Sequence, residues 1–192
     1  SEGFWEAIEK ELAEGIDAPV VCIGHDPSLW ALSSTPLATV SRCYDYFTLG
    51  GEENYANMLR FMGAEVLGRQ VTYDPPVPVP WEGFYHPRAD VNHFDSLKAY
   101  LAWYNPSPAP LVGVLISRHY WVSGSLTVED AIIAALEAQG LNVIPVFSYS
   151  VRDEGLGTRS SGEVLRDVFL KPDGTCRIDA LVKLQPFFLE SQ

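Results

Sequence analysis

Leu111–Phe147 reads LVGVLISRHYWVSGSLTVEDAIIAALEAQGLNVIPVF, which is a strand, a loop, a helix and a second strand. Leu111–Ser117 is a nearly unbroken apolar run rich in branched side chains, the pattern of a strand covered on both faces, with Gly113 as its weak position. Thr127 is placed to cap a helix whose first turn carries Glu129 and Asp130, and Gly140 stops it. Within that helix Val128, Ile132, Ala135, Leu136 and Gln139 share one face, which is therefore expected on the sheet. Asn142–Phe147 is the return strand. Its Pro145 lacks a ladder donor and is expected on an edge strand or at a bulge. Two strands joined through a helix run parallel, with a right-handed crossover.

The fold class that follows is α/β, a mainly parallel sheet with helices on both faces, built from Rossmann-like or periplasmic-binding-like βαβ units. Ligands of such sheets gather at the carboxyl ends of the strands. Arg118-His119-Tyr120-Trp121 and Ser123-Gly124-Ser125 follow the first strand at that end. Arg118, His119 and Tyr120 are thus the candidate binding residues, because a cation, an imidazole and a phenol converge there. In the alternative reading, Arg118 pairs with Glu129 or Asp130 and ties the loop to the helix start.

Outward from this stretch the chain divides into three parts. Residues 1–73 are a strand-plus-helices region belonging to a preceding or packed subdomain, 74–110 a Pro-rich connector with a helix, and 111–192 the βαβ(αβ) subdomain. Phe4, Trp5, Ile8 and Leu12 have amphipathic-helix spacing; Pro19–Gly24 reads as a short strand, and His25-Asp26-Pro27-Ser28 as the turn leaving it. Thr35 is the expected cap of a helix running through Val40, Tyr44 and Phe47. Gly50-Gly51 breaks it, and a second helix runs from Glu52 through Tyr55, Met58, Leu59 and Met62. The run DPPVPVP over Asp74–Pro80 should be extended, since proline restricts its own angle and its predecessor's. Phe94, Leu97, Lys98 and Leu101 mark a further helix. After a Gly/Ser/Asp-rich loop, a helix spans Glu163–Leu170. Ile178–Leu184 is either a third parallel strand or, in part, the second arm of a hairpin pairing Val168–Lys171 with Thr175–Ile178 across Asp173-Gly174.

Composition excludes several classes. With 192 residues, 47% hydrophobic and 20% charged, the chain is an ordinary globular sequence able to bury a core. A net charge of −12 without clustered Lys or Arg argues against nucleic acid and against acidic membrane surfaces. No apolar run approaches the roughly 20 residues that span a bilayer, and the opening SEGFWEAIEKELAEG has no signal-peptide pattern, so a soluble, cytoplasmic protein is expected. Cys22, Cys43 and Cys176 are too far apart for a zinc or disulfide framework. His86 and His93 flank Asp90 without metal-site spacing, so no metal ligands are assigned, and the Gly83–Pro87 turn is expected to pack on the sheet as a structural element. Gly50-Gly51 is a helix corner rather than a phosphate cradle, because no Walker or dinucleotide pattern surrounds it. No G-x-S-x-G nucleophile motif occurs, and no catalytic residue is assigned.

Four stretches, in order, resemble the large subunit shared by aerobic-type cobaltochelatase (CobN) and magnesium chelatase (its H subunit). They are Tyr46–Asn54 with Met58-Leu59; Gly83-Phe84-Tyr85-His86-Pro87-Arg88-Ala89; Phe94 with Leu97, Tyr100, Leu101, Trp103 and Tyr104; and Val112–Phe147. Phe84 and Arg88 are mild departures from the family's Gly-Ile-Tyr/Trp-His-Pro-x-Ala block. The resemblance implies an amino-proximal fragment of a much longer chain. That chain inserts a divalent metal into a tetrapyrrole, with ATPase-type partner subunits supplying ATP and Mg chemistry. It implies a tetrapyrrole substrate, cobalt (or magnesium) as the metal substrate, and no cofactor in the fragment itself. The Tyr-His-Pro block and the closing Asn-Val-Ile-Pro-Val-Phe segment look closer to the cobalt branch. On this reading Arg118, His119 and Tyr120 hold or orient a macrocycle bearing carboxylate arms; a non-catalytic domain that docks a partner subunit is the alternative.

Overall fold

A computed structural model of the chain describes residues 18–24 and 26–185, together with positions 7, 10, 11 and 15. The expected helix residues Phe4, Trp5, Ile8 and Leu12, and His25 of the expected turn, lie outside the described residues. Two compact units form, Ser1–Val79 and Pro80–Gln192. The Pro-rich run therefore goes with the first unit and residues 80–110 with the sheet, in place of boundaries at 73/74 and 110/111.

In the first unit a 3-10 turn, Pro27–Leu32, precedes helices α1 (Leu37–Leu49) and α2 (Glu52–Glu65). Gly50 and Gly51 make the corner between them at φ 71° and 91°, angles that side chains resist. Cys43, Tyr46 and Phe61 form the core with Val21, Ile23, Met58 and Met62, and burial pushes the Cys43 thiol up to about 11. The buried stripe of α1 is Val40, Cys43 and Tyr46, one position off the expected one, and Phe47 is exposed. Thr35 does not cap α1. Pro36 holds the cap position, and the Thr35 hydroxyl donates to Val20 O at 3.5 Å. Residues 19–24 do not form a strand either: the Val20 and Cys22 amides donate to Ser34 Oγ and Ser33 Oγ, both at 2.8 Å. On α2, Asn54 and Asn57 are buried while Leu59 faces solvent. The reason is the proline run, whose few remaining amides need acceptors. Asn54 exchanges two hydrogen bonds with the Val77 backbone, both 2.9 Å, and Asn57 Oδ1 accepts from Asp74 N at 3.1 Å.

The second unit is a four-stranded sheet of β1 (Glu82–Phe84), β2 (Leu111–Ser117), β3 (Asn142–Ser148) and β4 (Ala180–Lys183), in the order β1-β3-β2-β4. β2 pairs in parallel with β3 and β4, and only the short β1 is antiparallel. The mainly parallel α/β fold is thus as the sequence indicates. Helices α3 (Leu97–Tyr104) and α6 (Ser161–Phe169) serve one face, where Tyr100, Leu115, Ile144, Val146, Val164, Val168 and Phe169 pack. On the other face α4 (Arg118–Val122) and α5 (Thr127–Ala138) cover Val114, Ile116, Val143 and Phe147. Both readings of the carboxyl-terminal stretch hold in part: β4 is the third parallel strand, and a single antiparallel bridge joins Leu170 to Cys176 before it.

Three details differ from expectation. Pro145 lies in an inner strand, yet it fits. Tyr85 N donates to Pro145 O at 3.1 Å where β1 ends, so the position without an N–H faces the end of the short β1 and takes no bond from the β2–β3 ladder. Thr127 is the first helical residue of α5 rather than its cap, which is Leu126. The sheet-facing side of α5 is built on Leu126, Ile133 and Leu136, with Val128 63% exposed. Glu129 on that helix is buried, and two further acidic residues reach inward: Asp130 accepts from Tyr85 OH at 2.8 Å, and Glu137 Oε1 accepts from Arg88 Nη2 at 2.6 Å and Tyr104 OH at 2.9 Å. A pattern search counts such carboxylates as solvent-facing.

The Gly83–Pro87 turn packs on the sheet, as its sequence suggests. His86, 1% exposed, accepts from Arg88 N at Nδ1 (3.2 Å), so Nε2 carries the proton and points to Glu137 Oε1 at 3.3 Å. Burial outweighs the Glu137 carboxylate and holds the imidazole below its ordinary value of 6.5. His93 turns elsewhere, to Asp95 Oδ1 at 2.8 Å.

Two outcomes follow for stability. A Cβ on Gly113 would sit 2.7 Å from Phe169 Cζ and 2.9 Å from Ile178 Cδ1, so Gly113→Ala should destabilise by about 1–3 kcal/mol, seen as a lower thermal midpoint. Because His86 is held neutral in the fold, the unfolded chain takes up the extra proton. Its contribution is complete above pH 6.5 and is lost as pH falls from there through the lower folded value. Urea unfolding at pH 7, 6 and 5 should show this loss, and His86→Gln should flatten the slope over that window even where it lowers stability throughout.

Candidate functional site

β3 and β4 flank β2 on opposite sides, and the helices that follow β2 and β3 lie on opposite faces. Connections therefore diverge at the carboxyl end of β2, which is the topological switch point where open α/β sheets take ligands. The residues leaving the strands there are Ser117 and Arg118 from β2, Ser148 and Tyr149 from β3, and Gln185 just past β4.

Gln185 is 4% exposed and ties these ends together. Its Nε2 donates to Ile116 O (3.0 Å), Ser148 O (3.2 Å) and Ser148 Oγ (2.9 Å), and its Oε1 accepts from Ser161 Oγ (2.8 Å) at the start of α6. A buried amide with its polar atoms bonded fixes geometry, since any shift leaves a desolvated group unpaired. α6 is held by a capping box in which Ser160 and Glu163 bond each other's backbone. These hydrogen bonds hold the switch point to a fixed shape.

The structure separates the three candidate residues. Residues 118–122 are a one-turn helix rather than a loop, and Arg118 turns inward, 3% exposed. Its Nε donates to Pro80 O at 2.7 Å and its guanidinium lies 4.1 Å from the centre of the Trp81 ring, which meets Tyr149 edge-on at 5.1 Å. His119 and Tyr120 are exposed, with ring centres 5.8 Å apart. Trp121 is stacked flat on Phe147 at 3.9 Å and donates from Nε1 to Asn92 O. Arg118 thus braces the exit of β2, while the next two side chains stand on the surface it supports. Sequence reading missed Trp81, Ser148, Ser161 and Gln185. The signal for Gln185 was a lone amide inside the apolar stretch LVKLQPFF, which water does not explain.

Chemically the place offers an imidazole, a phenol, aromatic faces and hydrogen-bond donors, which suits holding a flat or anionic ligand. Among the described residues no group of three or more His, Cys, Asp or Glu is arranged to hold a metal ion. No described helix is long and apolar enough to cross a membrane.

Comparison with known proteins places the chain. The family model described as CobN/Magnesium Chelatase matches residues 44–192. An uncharacterised protein of Methanocaldococcus jannaschii is 31% identical over 94% of this chain, which spans 13% of that protein. The chloroplastic magnesium-chelatase subunit ChlH of Oryza sativa subsp. indica is 31% identical over 74% of the chain, which spans 11% of it. The structure titled catalytic subunit of cobaltochelatase from Mycobacterium tuberculosis shares the fold at TM-score 0.52 and 21% identity, over 95% of this chain and 13% of that one. The matched region takes in the Gly-Gly corner, the Tyr-His-Pro turn, the β2–α5–β3 unit and the Gln185 tie, and by this match the chain belongs to the CobN/magnesium chelatase family.

Proposed function

We propose that this chain is a portion of the tetrapyrrole-binding large subunit of an ATP-dependent metal chelatase, and that it helps seat the macrocycle at the carboxyl end of its sheet. The observation that carries the reading is the coincidence of the family match over residues 44–192 with a braced, aromatic switch point. Because the chain spans about a tenth of its relatives' length, the insertion reaction belongs to the whole subunit. ATP hydrolysis, with its Mg, belongs to ATPase-type partner subunits, and cobalt or magnesium enters as substrate. Cobalt insertion into a corrinoid precursor, as in cobalamin biosynthesis, is our choice. It is supported by the resemblance of the Tyr85-His86-Pro87 block and of Asn142–Phe147 to the cobalt branch. Magnesium insertion into protoporphyrin is the competing outcome, and the ChlH match favours keeping it in view.

Within this reading the three residues divide the work. Tyr120 offers a ring to the macrocycle face, and His119 a hydrogen-bonding ring nitrogen able to meet a carboxylate arm or a pyrrole proton. Arg118 positions them: its planar cation over Trp81 and its bond to Pro80 fix the first turn of α4. A soluble, cytoplasmic setting fits the composition and the charge of −12.

In the full-length subunit, His119→Ala and Tyr120→Ala should each weaken tetrapyrrole affinity about 5–10-fold, the equivalent of about 1–1.4 kcal/mol, as read by tryptophan quenching. Each should lower ATP-dependent insertion without changing the thermal midpoint. Unchanged affinity and insertion in both would leave this end of the sheet as scaffold. Supplying cobalt with a corrinoid ring and magnesium with protoporphyrin in parallel decides the metal, and turnover of the second pair alone would overturn the cobalt choice.

A further inference from the structure

The two edges of the sheet are unlike. β1 is covered, because Phe84 bridges Phe94 with hydrogen bonds in both directions, at 3.0 Å and 2.8 Å. β4 has no strand on its outer side among the described residues. It presents Ala180 and Leu181 to solvent, the latter 40% exposed. Natural edge strands are commonly guarded by an outward lysine. Here Lys183 turns back, and its Nζ donates to Gln185 O at 2.8 Å.

Beside this edge, on the α6 face, lies a cavity of about 360 Å³. Leu165 and Phe169 of α6, Ile178, and Leu181 of β4 give it most of an apolar lining, to which Asp179 and Arg166 also contribute. It continues the layer in which Phe169 and Ile178 close over Gly113. An unguarded strand edge flanked by an apolar groove is what strand addition requires. Main-chain bonds run along the edge, and every second side chain of the added strand enters the groove.

We propose that β4 is an inner strand of the complete domain. A fifth strand of the same polypeptide, running parallel to β4, pairs with its outer side and fills the groove between Leu181 and α6 with apolar side chains. The order β3-β2-β4 is the beginning of a doubly wound sheet, and its regular extension is a parallel strand outside β4. Reaching that position in a parallel sense takes a crossover of about a dozen residues or more. The family's chains are long enough, since this one spans 13% and 11% of two relatives. Nothing in the proposal depends on the tetrapyrrole reading.

The test compares the 192-residue chain with a full-length family chain carrying it. Amide exchange across Ala180–Lys183 should be slowed about 100-fold or more in the longer chain relative to the shorter one. Leu181→Lys should leave the thermal midpoint of the short chain within about 1 °C, as at an exposed position, and lower that of the long chain by several degrees. Equal exchange in both chains would overturn the proposal, as would a Leu181→Lys effect that is nil in both or equal in both. Concentration-dependent dimerisation of the full-length chain, abolished by Leu181→Lys, would assign the edge to a second copy instead and equally overturn it.

Discussion

Phe169 fills the space that a side chain at position 113 would occupy, and much of the second unit follows from that contact. β2 is the strand with parallel partners on both sides, and Gly113 lets the end of α6 close directly onto its backbone. A glycine in a strand weakens it locally, but here the loss is offset by an aromatic ring buried at 4% exposure. The same contact sets where α6 ends, and hence where the chain turns through the Leu170–Cys176 bridge to enter β4 beside β2. Asp179 then locks that entry. Its Oδ2 accepts from Leu111 N and its own amide donates to Leu111 O, both at 2.8 Å.

Buried polar side chains do the work of register in this protein. Asn142 bonds Ser107 through both its amide nitrogen and its oxygen and reaches Ala109 O, so the Asn105–Pro110 loop is held at the amino end of β3. Gln185 does the same at the carboxyl ends, and Asn54 does so for the proline run of the first unit. Each replaces backbone partners that proline or a strand end cannot provide, which is why an amide with both donor and acceptor recurs in the role. Glu137 is the charged version. It gathers Arg88, Tyr104 and His86 on one oxygen, and burial pushes the Tyr104 phenol up to about 12, so it remains a donor.

This explains which parts of the fold the sequence made legible. Apolar runs and glycine stops located β2, α5 and β3, and Gly50-Gly51 marked the α1–α2 corner, because those features depend on one element at a time. The faces of α2 and α5 were misplaced where Asn54, Asn57, Asp130 and Glu137 turn inward to hydrogen-bond partners 17 to 51 residues away in sequence, and where Glu129 is buried. No periodicity rule detects a polar group whose partner lies in another element. The switch point was legible from topology, since a βαβ unit has its ligand end fixed by strand direction. The inward turn of Arg118 was not, because it depends on Trp81 and Pro80, which belong to a distant stretch of the sequence ahead of β2.

That inward turn bears on how an acidic ligand can be held by a chain of net charge −12. At physiological ionic strength charges farther apart than about 8 Å are largely screened, so the overall charge sets encounter more than it sets the bound state. Arg118 is nearly desolvated beneath the surface and already engaged with a carbonyl and an indole face, so a carboxylate arm would gain little direct attraction from it. On the proposed reading, a site of this construction would hold a large flat ligand chiefly by ring contact and by the fixed shape that the Gln185 and Arg118 ties maintain. On the proposed reading the sheet end therefore acts as a shaped wall, and the electrostatic work of metal insertion falls to parts of the family's longer chains outside these 192 residues.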